Sequence, residues 1–236
     1  MKKIKLINNL LPDLLDLVLP RTCCCCNRAL RRWENEICNY CLTELPVTRF
    51  ENDSDNLVAK VFWGRVYLEQ AVSWFFFLKG SRYQEAIHRL KYQNRPEIGV
   101  ALGEEFGYQL LRSKIFQIPE LIVPVPLHPR KHKKRGYNQS EKIAEGLSLA
   151  LGIPVASDIL YKKDSTSTQT DKSRFDRFLN VSGSFGLLNE QIIENKHVFL
   201  VDDVLTTGAT LEACASILLE LTGVKVSAGT LAWAMD

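Results

Sequence analysis

Two adjacent aspartates followed by a hydroxyl-rich loop are the residues most suggestive of chemistry. Asp202 and Asp203 follow the apolar segment 197–201 and precede a helical pattern. The loop between them and the helix contains Thr206, Thr207, Gly208, Ala209 and Thr210. Carboxylates at the end of a buried strand are costly unless solvated or paired, and a helix N-terminus attracts phosphate. The segment predicts a sugar-phosphate site, although an acidic strand end with an ordinary N-cap explains the same residue types.

A dense basic cluster is the second candidate. Three prolines, at 124, 126 and 129, precede five basic residues within six positions: Arg130, Lys131, Lys133, Lys134 and Arg135. Such a cluster can bind a diphosphate or a nucleic-acid backbone, with Tyr137 available for stacking. A solvated basic turn is the alternative interpretation.

Six of the seven cysteines lie between positions 23 and 41. Cys23 with Cys26, and Cys38 with Cys41, form two C-x-x-C pairs that can hold one tetrahedral zinc ion. Cys24 and Cys25 lie inside the first pair, but only Cys23 with Cys26 has the required spacing. Four protein ligands leave no open position, so the zinc would be structural. A disulfide cluster is the alternative, and neighbouring basic and aromatic residues could contact single-stranded nucleic acid.

The elements that would position these residues alternate between strands and helices. A hairpin is predicted over 61–77, followed by strands at 121–123, 159–161, 197–201 and 224–231. Helices are predicted at 84–92, 96–111, 138–151 and 210–221, with Asn138 as an N-cap. This alternation predicts a parallel sheet with helices on both faces and ligands at the carboxyl ends of its strands.

Composition limits the class of protein. With 236 residues, 46% hydrophobic residues and a net charge of +3, the chain can bury one main core and is not strongly basic overall. Asn8, Pro12 and Asp13 interrupt the apolar N-terminal stretch, which predicts an amphipathic helix rather than a signal peptide or a membrane span. We expect a cytoplasmic protein.

Residues 199–210 resemble the phosphoribosyl pyrophosphate (PRPP) signature of type I phosphoribosyltransferases. The resemblance implies that Asp202 and Asp203 bind the ribose 2′- and 3′-hydroxyls and that the loop 206–210 binds the 5-phosphate. Purine-salvage members carry an aspartate general base where this chain has Thr206, so the resemblance does not extend to purine salvage.

The order of motifs along most of the chain is similar to that of the ComF family (ComFC/GntX type). The motifs are the two C-x-x-C pairs, Leu90-Lys91-Tyr92, Pro124-Val125-Pro126, Arg135-Gly136-Tyr137-Asn138-Gln139, Gln169 with Arg177 and Asn180, and finally Asp202-Asp203 with Thr206-Thr207-Gly208. The resemblance implies an α/β fold of the type I phosphoribosyltransferase-like class with a small N-terminal zinc-ribbon-like module. We expect the helix and zinc finger in 1–57 and the phosphoribosyltransferase-like domain in 58–236.

The family resemblance implies a Mg²⁺-dependent PRPP-binding protein linked to natural competence, DNA uptake or DNA processing. If it is catalytic, Asp202 and Asp203 would orient the ribose, Arg130 and Lys131 would bind the diphosphate, and Lys134 and Arg135 would stabilise its departure. Residues 166–177 could close over the site. Expected partners are PRPP, single-stranded DNA and proteins of the competence machinery. The alternative is a non-enzymatic single-stranded nucleic-acid-binding protein that uses the same fold as a scaffold.

Overall fold

A parallel four-stranded sheet is the centre of the structure, a computed structural model that describes residues 20–163 and 184–234. The strand order is β1-β6-β5-β2, and every neighbouring pair is parallel. The strands are β1 (Ala71–Phe76), β2 (Leu121–Pro124), β5 (His197–Leu205) and β6 (Lys225–Trp233). A separate antiparallel pair consists of β3 (Leu160–Lys162) and β4 (Phe185–Leu187). The predicted α/β class with a parallel sheet is confirmed.

Helices cover both faces of this sheet. Their bounds are α1 (Asn39–Thr43), α2 (Leu57–Phe62), α3 (Arg82–Tyr92), α4 (Pro96–Leu111), α5 (Pro129–Arg135), α6 (Gln139–Leu151) and α7 (Ala209–Leu218). Alternate residues of β5 enter two apolar cores: Phe199 packs with α3, α4 and α6, whereas Val198 and Leu200 pack with α2 and α7. Because both faces of β5 are buried, its residues 198–201 form a continuous apolar run.

Helices α4 and α6 approach each other closely at two glycines. A Cβ on Gly103 would lie 2.2 Å from the Ile143 carbonyl oxygen, and one on Gly146 would lie 2.0 Å from that of Val100. No side chain larger than hydrogen fits at either position without moving the backbone. The close packing fixes α6 against the sheet and directs its first turn towards the carboxyl edge.

The cysteine-rich segment packs against the same core as α3 and α4. Five of its six cysteines are buried together with Tyr83 and Ile87 of α3, and the sixth, Cys26, is partly buried. The Tyr83 hydroxyl donates to the Cys41 carbonyl oxygen at 3.0 Å. Further along, Val47 forms an antiparallel bridge with Phe75 at the edge of the sheet. The boundary after residue 57 stays a prediction.

Helices α3, α4 and α6 confirm three of the predicted elements nearly to the residue, including the Asn138 N-cap, whose side chain accepts from Ser140 N at 3.1 Å. The predicted hairpin over 61–77 is wrong. Asn56 caps α2 by accepting from the amides of Val58 and Ala59, and this helix continues to Phe62, so the segment begins with a helix end and a turn. The second half forms β1, whose sheet neighbour is β6.

Two further elements differ in detail. The basic segment 130–135 is the helix α5, begun by Pro129 at its first position and ended by Gly136 at φ +82°. Strand β5 continues to Leu205, so the two aspartates lie within the strand instead of closing it. The predicted N-terminal helix and the segment 166–177 lie outside the described residues. Within residues 20–163 and 184–234, no helix has both the length and the apolar character that a bilayer crossing requires.

Candidate functional site at the carboxyl edge of the sheet

Strand β5 places the two aspartates near its carboxyl end, one on each side of the sheet. Asp202 pairs in register with Thr230 of β6. The Asp203 Oδ1 atom forms a salt bridge with Lys91 Nζ of α3 at 2.9 Å. A buried carboxylate is stabilised by such a partner, which explains how Asp203 remains within a strand. Lys91 therefore belongs to the site, although it was predicted only as part of a family motif and without a role.

Asp202 has a different set of contacts. Its Oδ1 accepts hydrogen bonds from Ser140 Oγ and from the backbone amide of Asp203, both at 2.9 Å. Burial, followed by the nearby Asp203 carboxylate, raises the pKa of Asp202 to about 7. At neutral pH both the protonated and the ionised carboxyl group are therefore present. The protonated form can donate a hydrogen bond to a ligand hydroxyl, and the ionised form can accept one from it.

The loop after β5 is a cradle of hydroxyls and backbone amides. Thr206 and Thr207 are exposed, and Gly208 at φ +77° is the N-cap of α7. A Cβ at Gly208 would lie 3.0 Å from both Val61 and Phe62 of α2. The amides of the first turn of α7 have no carbonyl partner within the helix and can meet an anion there.

Helix α2 and the turn after it support this loop from outside. Arg65 Nη1 donates to the Thr207 carbonyl oxygen at 2.9 Å and to that of Val61 at 3.0 Å. The same guanidinium forms an ion pair with Glu212 of α7. Arg65 thus connects the backbone of the loop at Thr207 to α2 and to α7 without using a threonine hydroxyl.

The basic helix α5 presents one of its faces to the site. Lys131, Lys134 and Arg135 are spaced at i, i+3 and i+4, and all three line clefts at this edge. Arg130 and Lys133 are exposed and line neither of these clefts.

The residues after α5 fix its position. The buried Tyr137 hydroxyl donates to the Leu90 carbonyl oxygen, and Asn138 Nδ2 donates to that of Val125 at 2.9 Å. Arg135 donates to the Gln139 amide oxygen. The motif at 135–139 thereby connects α5 to β2, α3 and α6.

These parts surround a cleft of about 270 Å³, here called the aspartate cleft. Its polar lining is Lys91, Tyr92, His128, Lys131, Arg135, Asn138, Gln139, Ser140, Lys162, Asp202, Asp203 and Thr210. Burial lowers the pKa of Lys162, and the nearby Lys131 acts in the same direction. The cleft joins two carboxyl groups to several cations, and the loop 206–210 adjoins it through Asp202 and Thr210.

The four predicted zinc ligands converge in the N-terminal segment. The Sγ atoms of Cys23, Cys26, Cys38 and Cys41 all lie within 4.8 Å of one another. A zinc ion with bonds of about 2.3 Å to sulfur places the corners of its tetrahedron about 3.8 Å apart. Cys26 Sγ and Cys38 Sγ are separated by that distance, 3.8 Å. The cluster fits a metal ion such as zinc.

The backbone forms a tight turn around the first pair. Cys23 N donates to the Arg28 carbonyl oxygen at 2.8 Å, and Asn27 adopts φ +61°. Cys38 N donates to Cys23 Sγ at 3.4 Å, a contact that favours the thiolate form. All seven cysteines lie within the described residues, and none of them forms a disulfide.

Known proteins resemble this chain in sequence. Over 162 residues the chain is 33% identical to Competence protein F of Haemophilus influenzae, and the aligned region covers 65% of this chain and 71% of that protein. The chain belongs to the ComF family. A family model described as the phosphoribosyl transferase domain matches residues 133–234 of this ComF protein. That range includes Lys134, Arg135 and the segment from Asp202 to Thr210.

Other relatives match over a shorter range. This ComF protein is 37% identical to the DNA utilization protein YhgH of Salmonella typhimurium over 136 residues, 56% of this chain and 59% of that protein. The match thus spans less than two thirds of the length of that relative. Among solved structures, the allosteric regulatory enzyme of purine biosynthesis is 22% identical, with a TM-score of 0.40 over 59% of this chain and 29% of that chain.

The fold of this ComF protein unites residues that its sequence does not mark as partners. Lys91, Ser140 and Lys162 come from three elements and line the same cleft as Asp202. Arg65 and Glu212 are 147 residues apart and pair behind the loop. Among these residues, only Lys91 had a sequence signal, because it lies in one of the family motifs.

Proposed function

We propose that this ComF protein binds PRPP, accompanied by Mg²⁺, in the aspartate cleft and the adjoining loop 206–210. The observation that carries the proposal is the Asp202-Asp203 pair placed beside the loop on one side and cationic side chains on the other. A ribose carrying a phosphate at one end and a diphosphate at the other has the same order of chemical groups.

Each part of the ligand has a matching group in the protein. Asp202 and Asp203 would accept hydrogen bonds from the ribose 2′- and 3′-hydroxyls. The hydroxyls and amides of 206–210 would bind the 5-phosphate at the N-terminus of α7. Lys131 and Arg135 would contact the diphosphate from the same face of α5.

The proposed site also suits phosphoribosyl transfer. When the bond between ribose C1 and the diphosphate oxygen breaks, positive charge develops on the sugar and negative charge on the leaving group. Arg135 and Lys134 would stabilise the leaving group, while Asp202 and Asp203 hold the ribose in orientation. A magnesium ion bound with the diphosphate would neutralise part of its charge.

The cysteine cluster supports a structural role for zinc. Four cysteine ligands leave no coordination position for a substrate. We therefore propose that zinc stabilises the N-terminal segment and its contact with α3 and takes no part in the reaction.

The names of the relatives connect this chemistry to DNA. One relative is called a DNA utilization protein and another a competence protein. We propose that this protein acts in DNA uptake or processing, with single-stranded DNA and competence proteins as partners. Tyr40 supports a nucleic-acid partner, since the guanidinium groups of Arg28 and Arg82 lie 5.1 Å and 5.3 Å from its ring centroid.

Isothermal titration of the zinc-loaded protein with PRPP tests the proposed function. We expect binding that strengthens when Mg²⁺ is added, because the ion offsets the charge of the diphosphate. The double variant Asp202→Asn with Asp203→Asn should abolish binding and keep the fold, as judged by circular dichroism.

A matched control is available at the opposite end of the sheet. Glu194 and Glu220 are exposed and lie before the starts of β5 and β6, away from the carboxyl edge. The double variant Glu194→Gln with Glu220→Gln changes the net charge equally and should bind PRPP as the wild type does. Unchanged affinity in the aspartate variant would refute the ribose assignment.

A further inference from the structure

A second cleft adjoins the aspartate cleft and differs from it in chemistry. It has a volume of about 270 Å³ and is here called the tyrosine cleft. Its lining residues are Lys91, Tyr92, Asn94, Lys131, Lys134, Arg135 and Tyr137. Among the described residues no carboxylate lines it, whereas two carboxylates line its neighbour. The PRPP assignment has no use for its aromatic wall.

The ring of Tyr92 is held in position but remains open to a ligand. The Arg135 guanidinium lies 5.1 Å from the ring centroid, and the His88 ring centroid lies at 4.9 Å. The residue nevertheless keeps 64% of its surface exposed, so these neighbours do not enclose the ring. An exposed aromatic ring fixed by its neighbours is a preorganised stacking surface.

The positive charge of this cleft is largely unneutralised. Lys91 pairs with Asp203, whereas within residues 20–163 and 184–234 the hydrogen bond of the Arg135 guanidinium goes to the neutral amide of Gln139. In the part of the chain that the structure describes, neither Lys131 nor Lys134 forms an ion pair with a carboxylate. Two lysines and one arginine therefore attract an anion to the edge of the Tyr92 ring.

A ligand that uses both properties must carry a flat ring and a phosphate. Diphosphate alone leaves the tyrosine unused, and an uncharged aromatic molecule leaves the cations unused. A nucleotide unit satisfies both, with its base stacked on Tyr92 and its phosphate at Lys131 and Lys134.

The two clefts cannot be filled independently, because they share four lining residues. Lys91, Tyr92, Lys131 and Arg135 belong to both. A phosphate held by Lys131 or Arg135 in one cleft repels a diphosphate that needs the same cations in the other. Binding at either cleft must weaken binding at the other, by the same factor in both directions.

We propose that the tyrosine cleft binds a nucleotide unit through Tyr92, Lys131 and Lys134, and that this binding opposes binding of a diphosphate in the aspartate cleft. The coupling to PRPP rests on the proposed function, whereas the nucleotide site does not. The same chemistry is available from a single-stranded nucleic acid or from a free mononucleotide.

The first experiment measures the fluorescence anisotropy of a labelled oligothymidylate and, separately, of a labelled thymidine monophosphate, with no PRPP present. The variant Tyr92→Leu should weaken binding roughly 5- to 150-fold, the range expected for one stacked base. Tyr92→Phe keeps the stacking ring and should bind as the wild type does. Binding of the oligonucleotide alone identifies a strand as the ligand, and equal binding of the monophosphate identifies a free nucleotide.

A matched control is Tyr67, which is 69% exposed and lines neither cleft. The variant Tyr67→Leu removes an equally exposed ring and should leave the affinity unchanged. The nucleotide site is refuted if neither probe binds, if Tyr92→Leu binds as well as the wild type, or if Tyr67→Leu loses as much affinity.

The second experiment adds inorganic diphosphate with Mg²⁺, or PRPP with Mg²⁺, to the complex of protein and oligonucleotide. Either addition should lower the oligonucleotide affinity several-fold, and Lys131→Met should reduce this effect. If saturating diphosphate leaves the oligonucleotide affinity unchanged, the proposal that both ligands use the same cations is refuted. If titration shows no PRPP binding but the Tyr92 variants behave as stated, the proposed function fails and the nucleotide site stands.

Discussion

Asp202 should make the protein less stable at alkaline pH than at acid pH, because its carboxyl group is more easily ionised when the chain is unfolded. Its pKa rises from 3.8 to about 7 on folding. Between these values the folded protein retains a proton that the unfolded chain has lost, so stability falls as pH rises through this window. Above pH about 7 both states are ionised, and the penalty no longer grows.

The variant Asp202→Asn removes this penalty with little change in contacts. An asparagine Oδ1 can accept the same two hydrogen bonds from Ser140 Oγ and Asp203 N. The charged groups around it are unchanged: Asp203 and Lys91 in the ion pair and Lys162 across the cleft, with the thiol of Cys214 nearby.

The expected magnitude follows from the pKa. From about pH 5 to about pH 7 the free energy of unfolding of the wild type falls by up to roughly 1.36 kcal/mol per pH unit, or about 3 kcal/mol in all. Asp202 is only partly buried, and water that enters the cleft reduces this value. Relative to the wild type, the variant should therefore gain about 1–3 kcal/mol of unfolding free energy between about pH 5 and about pH 8.

The assay is urea denaturation of the wild type and the variant at about pH 5 and about pH 8. The result is the difference in unfolding free energy between the two proteins, compared between the two pH values. Any effect of pH on the cysteine cluster is common to both proteins and cancels. Glu194→Gln is the control: its carboxylate is exposed and lies before the start of β5, away from Asp202, so its removal should give no such gain. A difference that does not depend on pH, or a gain at acid pH, would contradict the reasoning.

Two further predictions concern the loop and the metal centre. Gly208→Ala should cost about 2–3 kcal/mol of stability and weaken PRPP binding, since it combines positive φ with contacts of 3.0 Å to Val61 and Phe62. Gly136→Ala, with positive φ but open space around it, should cost only about 1 kcal/mol in the same denaturation assay, and equal losses would argue against the contacts. By zinc analysis, Cys26→Ala should lose the metal and unfold at lower temperature, whereas Cys25→Ala should retain it. Equal zinc content in the two variants would contradict the ligand assignment.

The helices were predictable where the signals were local. Pro96 begins α4 and the Asn138 side chain caps α6, as their positions before apolar periodic segments predicted. The hairpin prediction failed because aromatic and β-branched residues at 61–77 suit both a strand and a buried helix. The Asn56 cap, together with burial of Val58 and Phe62, forms α2, which ends at Phe62 and is followed by a turn, so that only β1 remains of the predicted pair of strands.

The sequence by itself determined which residues form the cysteine cluster and which form the aspartate pair with its loop. Spacing brings four cysteines together because each C-x-x-C pair forms its own tight turn, and the Asp202-Asp203 pair with its loop is continuous in the chain. Only the tertiary structure determined which groups face them. Ser140 is 62 residues from Asp202, and Tyr92 meets Arg135 only because α3 and α5 converge at the same edge. Contacts of this kind depend on helix packing across a sheet, which no local pattern of residues encodes.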